Sequence, residues 1–185
     1  MSLRRPVSHV ALVVGVVAWT ACARHDAAVV QAFHPLDVGM AAPAYAAATL
    51  GHDTVRLGGP GPPTVLNVWA TWCFSCAEEM SELDSLQGEF GARGLRVIGV
   101  SVDEGNGERV QRFAQANHLH FTIAHDPSAD IERQYRVVGV PTTFVIGRDG
   151  RLVWMHTGNI VDVAADVRRA IASAVDTSAA HAPPR

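Results

Sequence analysis

The sequence predicts an α/β fold, with a central mixed β-sheet flanked by helices and a β-hairpin at the N-terminal side of the domain. Two continuous apolar runs, 64–69 and 95–102, are typical of strands that are buried on both faces of a sheet. Each run is followed by a segment with helical periodicity, which favours parallel strands joined by helical crossovers. Further along, Asp149-Gly150 separates two apolar runs and predicts a tight hairpin turn. Parallel and antiparallel pairs together indicate a mixed sheet.

The composition is that of a globular protein with one domain of ordinary size. The chain has 185 residues, of which 48% are hydrophobic and 18% are charged. The net charge is −3, and the basic residues, all arginine, form no stripe or block. We therefore expect no nucleic acid as a partner. Three cysteines are too few for a disulfide framework.

Residues 1–23 have the pattern of an export signal. Arg4 and Arg5 precede an apolar run at 10–18, and small residues follow it. Three outcomes are open: cleavage after Ala23, lipidation of Cys22 as in a bacterial lipoprotein, or retention of the segment as a membrane anchor. Each outcome places the rest of the chain in the periplasm or elsewhere outside the cytoplasm, where disulfide chemistry is permitted.

The rest of the chain divides into a linker, a domain and a tail. We interpret residues 24–37 as a linker, 38–176 as the domain and 177–185 as a disordered tail. Gly51-His52-Asp53 predicts the turn of the N-terminal hairpin. The later elements are predicted in this order: strand 64–69, helix 77–90, strand 95–102, helix 110–117, strand 121–124, helix 126–135, strand 139–146, strand 152–156 and helix 161–175.

Cys73 and Cys76 lie where the first buried strand is followed by a helix. Backbone N–H groups at a helix start are unpaired, and together with the helix dipole they favour negative charge. A thiolate at Cys73 gains from both effects, so we expect its pKa to lie below that of a free thiol. A purely structural disulfide is the alternative, but it would close a very short loop and add little stability. The pattern therefore favours a redox-active Cys73–Cys76 disulfide.

Three motifs in order resemble the thioredoxin superfamily, and most closely its exported TlpA/ResA-like thiol–disulfide oxidoreductases. Residues 68–79 read V-W-A-T-W-C-F-S-C-A-E-E, and residues 139–150 read G-V-P-T-T-F-V-I-G-R-D-G. Upstream, residues 39–45 read G-M-A-A-P-A-Y and are similar to the hairpin region of the same branch. The resemblance spans about residues 38–175 and implies a thioredoxin-like fold.

The resemblance also implies roles for individual residues. Cys73 is the expected exposed attacking thiolate, and Cys76, behind it in the helix, is the expected resolving thiol. Pro141 is expected to form a cis peptide bond with Val140 and to pack beside the disulfide, which presents the backbone of Val140 to the substrate. Glu79 matches a glutamate that this branch uses as an acid and base; the alternative is a solvated helix residue.

Two aromatic residues and one amide complete the predicted site. Trp72 is expected to flank the cysteines, whereas Trp69 is expected in the core. Phe74, between the cysteines, is expected to be exposed and to contact a partner. Asn67 stands where cytoplasmic thioredoxin has a buried acid, and an amide cannot take a proton.

The implied function is a disulfide reductase that acts on other proteins. Its dithiol attacks a substrate disulfide, and a membrane electron donor restores it. By resemblance, substrates include apocytochrome c or the copper-site cysteines of oxidase subunits. We expect no cofactor, no resident metal and a monomer.

Three other functions remain open at this stage. The same chemistry run in the opposite direction gives a disulfide oxidant. A copper-binding assembly factor would use Cys73, Cys76 and one histidine of a small group, His118, His120 and His125. A peroxidase is weaker, because the segment before the first cysteine lacks the threonine-containing motif of that family.

Overall fold

A computed structural model describes residues 36–176 of the chain. The predicted export signal with Cys22, most of the predicted linker and the predicted tail lie outside these described residues. The elements are β1 (Tyr45–Ala48), β2 (Thr54–Leu57), β3 (Thr64–Trp69), α1 (Phe74–Phe90), β4 (Arg96–Ser101), α2 (Glu108–Ala116), β5 (Thr122–His125), α3 (Asp130–Tyr135), β6 (Thr142–Ile146), β7 (Leu152–Thr157) and α4 (Ala164–Asp176). Short 3-10 turns, Gly91–Arg93 and Ile160–Val163, follow α1 and precede α4.

The central sheet is mixed, as the sequence predicts. Its five strands lie in the order β5-β4-β3-β6-β7. β3 pairs in parallel with β4, and β4 pairs in parallel with β5. β6 runs antiparallel to both β3 and β7. Every residue of the central strand β3 is buried, which explains its continuous apolar character.

The predicted N-terminal hairpin forms a separate two-stranded antiparallel sheet of β1 and β2. Two tyrosine hydroxyls connect β1 and the residues just before it to the rest of the domain. The Tyr45 hydroxyl donates to the Asp126 carboxylate at 3.1 Å, and the Tyr135 hydroxyl donates to the Pro43 carbonyl at 3.0 Å. A backbone bridge between Thr49 and Ala124 places the hairpin against the β5 edge.

Helices α1 and α4 contact each other, and polar contacts between them support the packing. Arg168 of α4 forms ion pairs with Glu82 and Glu89 of α1. The buried side of α1 is formed by Met80, Leu83, Leu86 and Phe90, as its spacing predicts. No helix within residues 36–176 is both long enough and apolar enough to cross a membrane.

Several element boundaries differ from the predictions for local reasons. Helix α1 begins at Phe74 rather than near Ala77, because the Cys73 side chain caps it by accepting from the Cys76 N–H. Helix α3 begins at Asp130 rather than Asp126, since the Asp126 carboxylate accepts from the Ile131 N–H and holds a turn before the helix. The closing helix begins at Ala164, after the 3-10 turn.

The β6 strand is shorter than predicted at its start. It begins at Thr142, because the preceding residues form the loop that leads into Pro141. At the N-terminal side, Leu36 was predicted within the linker, but it is only 6% exposed and belongs to the hydrophobic core. A single apolar residue before the first motif carries too little pattern to show this contact in advance.

Candidate active site

The two cysteines form a disulfide at the carboxyl end of β3, where the chain enters α1. Their Cα atoms are 5.2 Å apart. The Cys76 N–H donates to the Cys73 sulfur at 3.2 Å, so this sulfur occupies the capping position of α1. Unpaired N–H groups and the helix dipole both favour negative charge at that position. In the reduced protein, the same contacts stabilise a thiolate on Cys73.

The two sulfurs differ in their access to solvent. Cys76 is fully buried, whereas Cys73 keeps 8% of its surface exposed. Cys73 is therefore the more accessible of the two, although it is less exposed than the sequence prediction implied. Its neighbours Trp72 and Phe74 are 64% and 80% exposed, in contrast to Trp69, which is fully buried as predicted. Exposed apolar side chains of this size beside a reactive group are typical of a contact surface.

The Val140–Pro141 peptide bond is cis, as the resemblance implies. The carbonyl oxygen of Val140 lies 3.7 Å from the Cys73 sulfur, so this loop borders the disulfide directly. Pro141 is buried, Val140 is half-buried and nearby Val138 is strongly exposed. Trp72, Phe74 and Val138 are therefore exposed apolar side chains in the two segments that border the disulfide.

Glu79 lies on α1, three residues after Cys76, and has no exposed surface. One carboxylate oxygen accepts from the Asn67 amide at 2.6 Å, and the other accepts from the Ile160 N–H at 2.9 Å. The alternative of a solvated helix residue is therefore wrong. Residues at this spacing share one face of a helix, which places Glu79 on the same side of α1 as Cys76.

Burial raises the pKa of Glu79 to about 7, because it disfavours the charged form of the carboxyl group. The hydrogen bonds from the Ile160 N–H and the Asn67 amide act in the opposite direction and limit the increase. A carboxyl group with this pKa can both accept and release a proton near neutral pH. Such a group is suited to exchange a proton with a neighbouring thiol.

Asp103 is a buried acid of the site that sequence reasoning missed. Its carboxylate accepts from the Thr71 N–H and the Thr71 hydroxyl, and also from the Ser101 hydroxyl. These bonds hold the loop that carries Trp72 and leads into Cys73. A signal was present, because Asp103 follows β4, and the carboxyl ends of the parallel strands β3 and β4 lie at the same edge of the sheet.

Two of the three histidines that suggested a copper site have separate partners. His120 pairs with Asp84 of α1 at 2.9 Å, and the ring of His125 lies 2.7 Å from the Asp103 carbonyl. His118 takes a left-handed backbone conformation before β5. Within residues 36–176, no group of three or more histidine, cysteine or acidic side chains is arranged to hold a metal ion.

Comparison with known proteins supports the thioredoxin-like interpretation. Residues 38–155 match the AhpC/TSA family. The thiol-disulfide oxidoreductase ResA of Bacillus thuringiensis is 29% identical over 119 residues, which cover 64% of this chain and 68% of that protein. The thioredoxin-like protein YneN of Bacillus subtilis is 32% identical over 125 residues, which cover 66% of this chain and 72% of that protein.

A solved structure gives the same result. The protein of Chlorobium tepidum assigned as a thiol:disulfide interchange protein DsbE superposes with a TM-score of 0.70 at 28% identity. The superposition covers 76% of this chain and 99% of that one. The match therefore includes nearly the whole of the Chlorobium chain.

Proposed function

The chain belongs to the AhpC/TSA family and is a thiol–disulfide oxidoreductase, and we propose that it reduces disulfides in partner proteins outside the cytoplasm. One observation carries the proposal: in the Cys73–Cys76 disulfide, Cys73 keeps some exposed surface between two exposed aromatic neighbours, whereas Cys76 is fully buried one helical turn from the buried carboxyl group of Glu79. This division matches a reaction in which a partner reaches only the first sulfur.

The reaction begins with the reduced protein and a disulfide in the substrate. The Cys73 thiolate attacks one substrate sulfur, a mixed disulfide forms, and the other substrate sulfur leaves as a thiolate that takes up a proton. The Cys76 thiol then loses its proton and attacks the Cys73 sulfur. The Cys73–Cys76 bond forms, the bond from Cys73 to the substrate breaks, and the substrate leaves with both sulfurs reduced. Two electrons pass from the protein to the substrate.

Glu79 is the proposed acceptor of the Cys76 proton. Cys76 is fully buried, so solvent has no direct access to its thiol. Glu79 lies one helical turn away and has a pKa of about 7, which allows it to be ionised when the thiol must lose its proton. The reverse transfer restores the thiol when the protein is reduced again.

The sequence supports the proposed setting of the reaction. The export signal pattern at 1–23 supports a periplasmic or other extracytoplasmic location, with or without a tether at Cys22. In that setting a membrane electron donor restores the dithiol. The substrates are cysteine pairs of exported proteins, such as those of apocytochrome c or oxidase copper sites, and the protein acts as a monomer.

The test is capture of the mixed disulfide. In Cys76→Ser the second step is blocked, so the substrate should remain attached to Cys73 and be recovered on a non-reducing gel. The matched control is Cys73→Ser, which retains the buried thiol and should capture nothing. Capture by Cys73→Ser, with none by Cys76→Ser, would reverse the two roles and contradict the proposal.

The direction of electron flow is tested by the reduction potential. A potential close to the value of about −270 mV for thioredoxin is expected for a reductase. A potential close to about −120 mV, as in the strongly oxidising protein DsbA, would show that the protein is an oxidant instead.

A further inference from the structure

We propose that Asn67 is a positioning residue whose side-chain amide rotates by half a turn when Glu79 gains or loses its proton. The inference rests on the proposed role of Glu79 as the proton acceptor of Cys76, and it assigns a function to the amide that replaces a buried acid. It is carried by the hydrogen-bond geometry around one buried carboxyl group.

In both of its hydrogen bonds, the Glu79 carboxyl group is the acceptor. The Asn67 Nδ2 group donates to one oxygen at 2.6 Å, and the Ile160 N–H donates to the other at 2.9 Å. The same Nδ2 group donates to the Thr143 hydroxyl oxygen at 2.9 Å. A carboxylate accepts hydrogen bonds only, so this arrangement fits the ionised form of Glu79.

The protonated form of Glu79 needs a different arrangement. Its O–H group is a donor and must find an acceptor, but the two groups that face it are both donors. The Asn67 Oδ1 atom is buried, and it has no hydrogen-bond partner among the described residues. This oxygen is therefore an acceptor that is available on the same side chain to receive a hydrogen bond from protonated Glu79.

Rotation of the Asn67 amide by half a turn places Oδ1 where Nδ2 now lies. There it can accept from the protonated Glu79 and also from the Thr143 hydroxyl, because a hydroxyl group can either accept or donate. The network then fits the neutral carboxyl group as the present one fits the carboxylate. An unpaired buried polar atom is destabilising, and each arrangement leaves part of the amide unpaired. Neither arrangement is therefore favoured outright.

Other side chains at this position would not serve both forms. An aspartate would place a second buried carboxyl group against Glu79, and repulsion between like charges would strongly raise the pKa of one of the two. An alanine would remove the donor that stabilises the carboxylate and the acceptor that receives the proton. Asparagine keeps both functions without a charge of its own.

The charged and titratable groups near Glu79 lie on several elements. On α1, Glu82 is paired with Arg168 of α4, and the Asn159 amide lies 3.4 Å from the Glu78 carboxylate. On β7, His156 pairs in register with Thr143. A titration of Glu79 must take the following neighbouring groups into account: Cys76, Glu78, Glu82, His156, Asp162 and Arg168.

The first experiment follows both side chains by NMR in the full chain, oxidised, between pH 5 and 9. The Glu79 carboxyl carbon reports its protonation, and the Asn67 side-chain N–H resonances report the amide. We expect the Asn67 resonances to shift with the same midpoint as Glu79, and to stop shifting in Glu79→Gln. Asn67 resonances that stay constant while Glu79 titrates would overturn the inference. Because the wild-type chain is observed, this result does not depend on the folding of a variant.

A second measurement uses variants that remove the Asn67 amide or its hydrogen bond to the Thr143 hydroxyl. In Asn67→Ala we expect the Glu79 midpoint to rise by about one pH unit, because a stabilising donor to the carboxylate is lost. In Thr143→Val the Asn67 resonances should shift less, whereas Thr143→Ser should restore the wild-type response. An unchanged Glu79 midpoint in Asn67→Ala would contradict the positioning role.

The failure of this inference can be separated from failure of the proposed function. If Glu79→Gln reduces substrate disulfides at the wild-type rate at every pH, the proposed role of Glu79 as proton acceptor fails. Coupled titration of Asn67 and Glu79 would still stand in that case. Conversely, the inference alone would fail if Glu79→Gln reduced substrates slowly while the Asn67 resonances of the wild-type protein did not change with pH.

Discussion

The two ends of one disulfide lie in contrasting surroundings. Cys73 keeps some exposed surface, has the exposed Trp72 and Phe74 as its sequence neighbours, and lies beside the Val140 carbonyl. Cys76 is fully buried, on the same side of α1 as Glu79, whose carboxyl group is also buried and accepts from the Asn67 amide. The first environment can contact another protein, and the second can move a proton without contact with solvent. The contrast indicates that partner recognition and proton exchange are separate tasks of the two sulfurs.

The largest effect is expected where the buried side loses its proton acceptor. Glu79→Gln keeps the shape of the side chain but cannot take up the Cys76 proton, so release of the substrate should slow by about 10²-fold at pH 7. Single-turnover reduction of a protein disulfide measures this rate. Glu78→Gln, on the exposed side of the same helix turn, is the matched control and should retain the wild-type rate. Equal rates for Glu79→Gln and Glu78→Gln would show that the buried acid has no role that the exposed acid lacks.

Glu79 should also make the stability of the fold depend on pH. Its pKa rises from 4.5 in the unfolded chain to about 7 in the folded protein, so the unfolded chain releases the proton first as pH increases. Stability contributed by the neutral group is complete below pH 4.5 and is lost as pH rises to about 7. The loss is on the order of 3 kcal/mol, and it should be absent in Glu79→Gln. Urea unfolding of both proteins at several pH values measures it; parallel profiles would contradict the assignment.

Asp103 connects the loop before Cys73 to the end of β4 through its bonds with Thr71 and Ser101. Its replacement should have an intermediate effect on the reaction rate. In Asp103→Asn an amide donor faces the Thr71 N–H or the Ser101 hydroxyl, which are themselves donors. We expect a loss of about 1–3 kcal/mol in unfolding free energy and a several-fold lower rate of mixed disulfide formation. Asp53→Asn in the exposed hairpin turn is the control. A variant with full stability and rate would show that the loop does not depend on Asp103.

Phe74 should have the smallest effect on the fold and a selective effect on recognition. Because its side chain is 80% exposed, Phe74→Ala should change the unfolding free energy by less than about 0.5 kcal/mol. The KM for a protein substrate should increase several-fold, whereas the rate with a small disulfide should stay constant. Val38→Ala, also strongly exposed, provides the control. If the two substrates respond equally to Phe74→Ala, Phe74 acts on the disulfide and not on the partner.

The sequence predicts the fold well because its strands and helices carry strong periodic patterns. The mixed sheet and the hairpin agree with these patterns, and the cis bond before Pro141 agrees with what the family resemblance implies. The start of α1 was missed because a cysteine is an uncommon cap, and its capping bond depends on the folded loop. The start of α3 was missed because the Asp126 turn depends on contacts that form only on folding.

The site was predicted in part, and the missing part concerns burial. Periodicity placed Glu79 next to Glu78 and Glu82 on the polar face of the predicted helix, so pattern alone could not distinguish a solvated acid from a buried one. The decision depends on Ile160, which lies 81 residues away in the chain and donates to the carboxylate. Asp103 was missed for the same reason, since its partner Thr71 lies 32 residues away.

The most direct test of the contrast is the reactivity of the two thiols in the reduced protein. Alkylation with iodoacetamide across pH, located by mass spectrometry, measures the accessibility and the pKa of each cysteine. We predict that Cys73 reacts first and with a pKa below the value of about 8.5 for a free thiol, while Cys76 stays protected. Faster alkylation of Cys76, or equal rates for both cysteines, would contradict the separation of recognition and proton exchange.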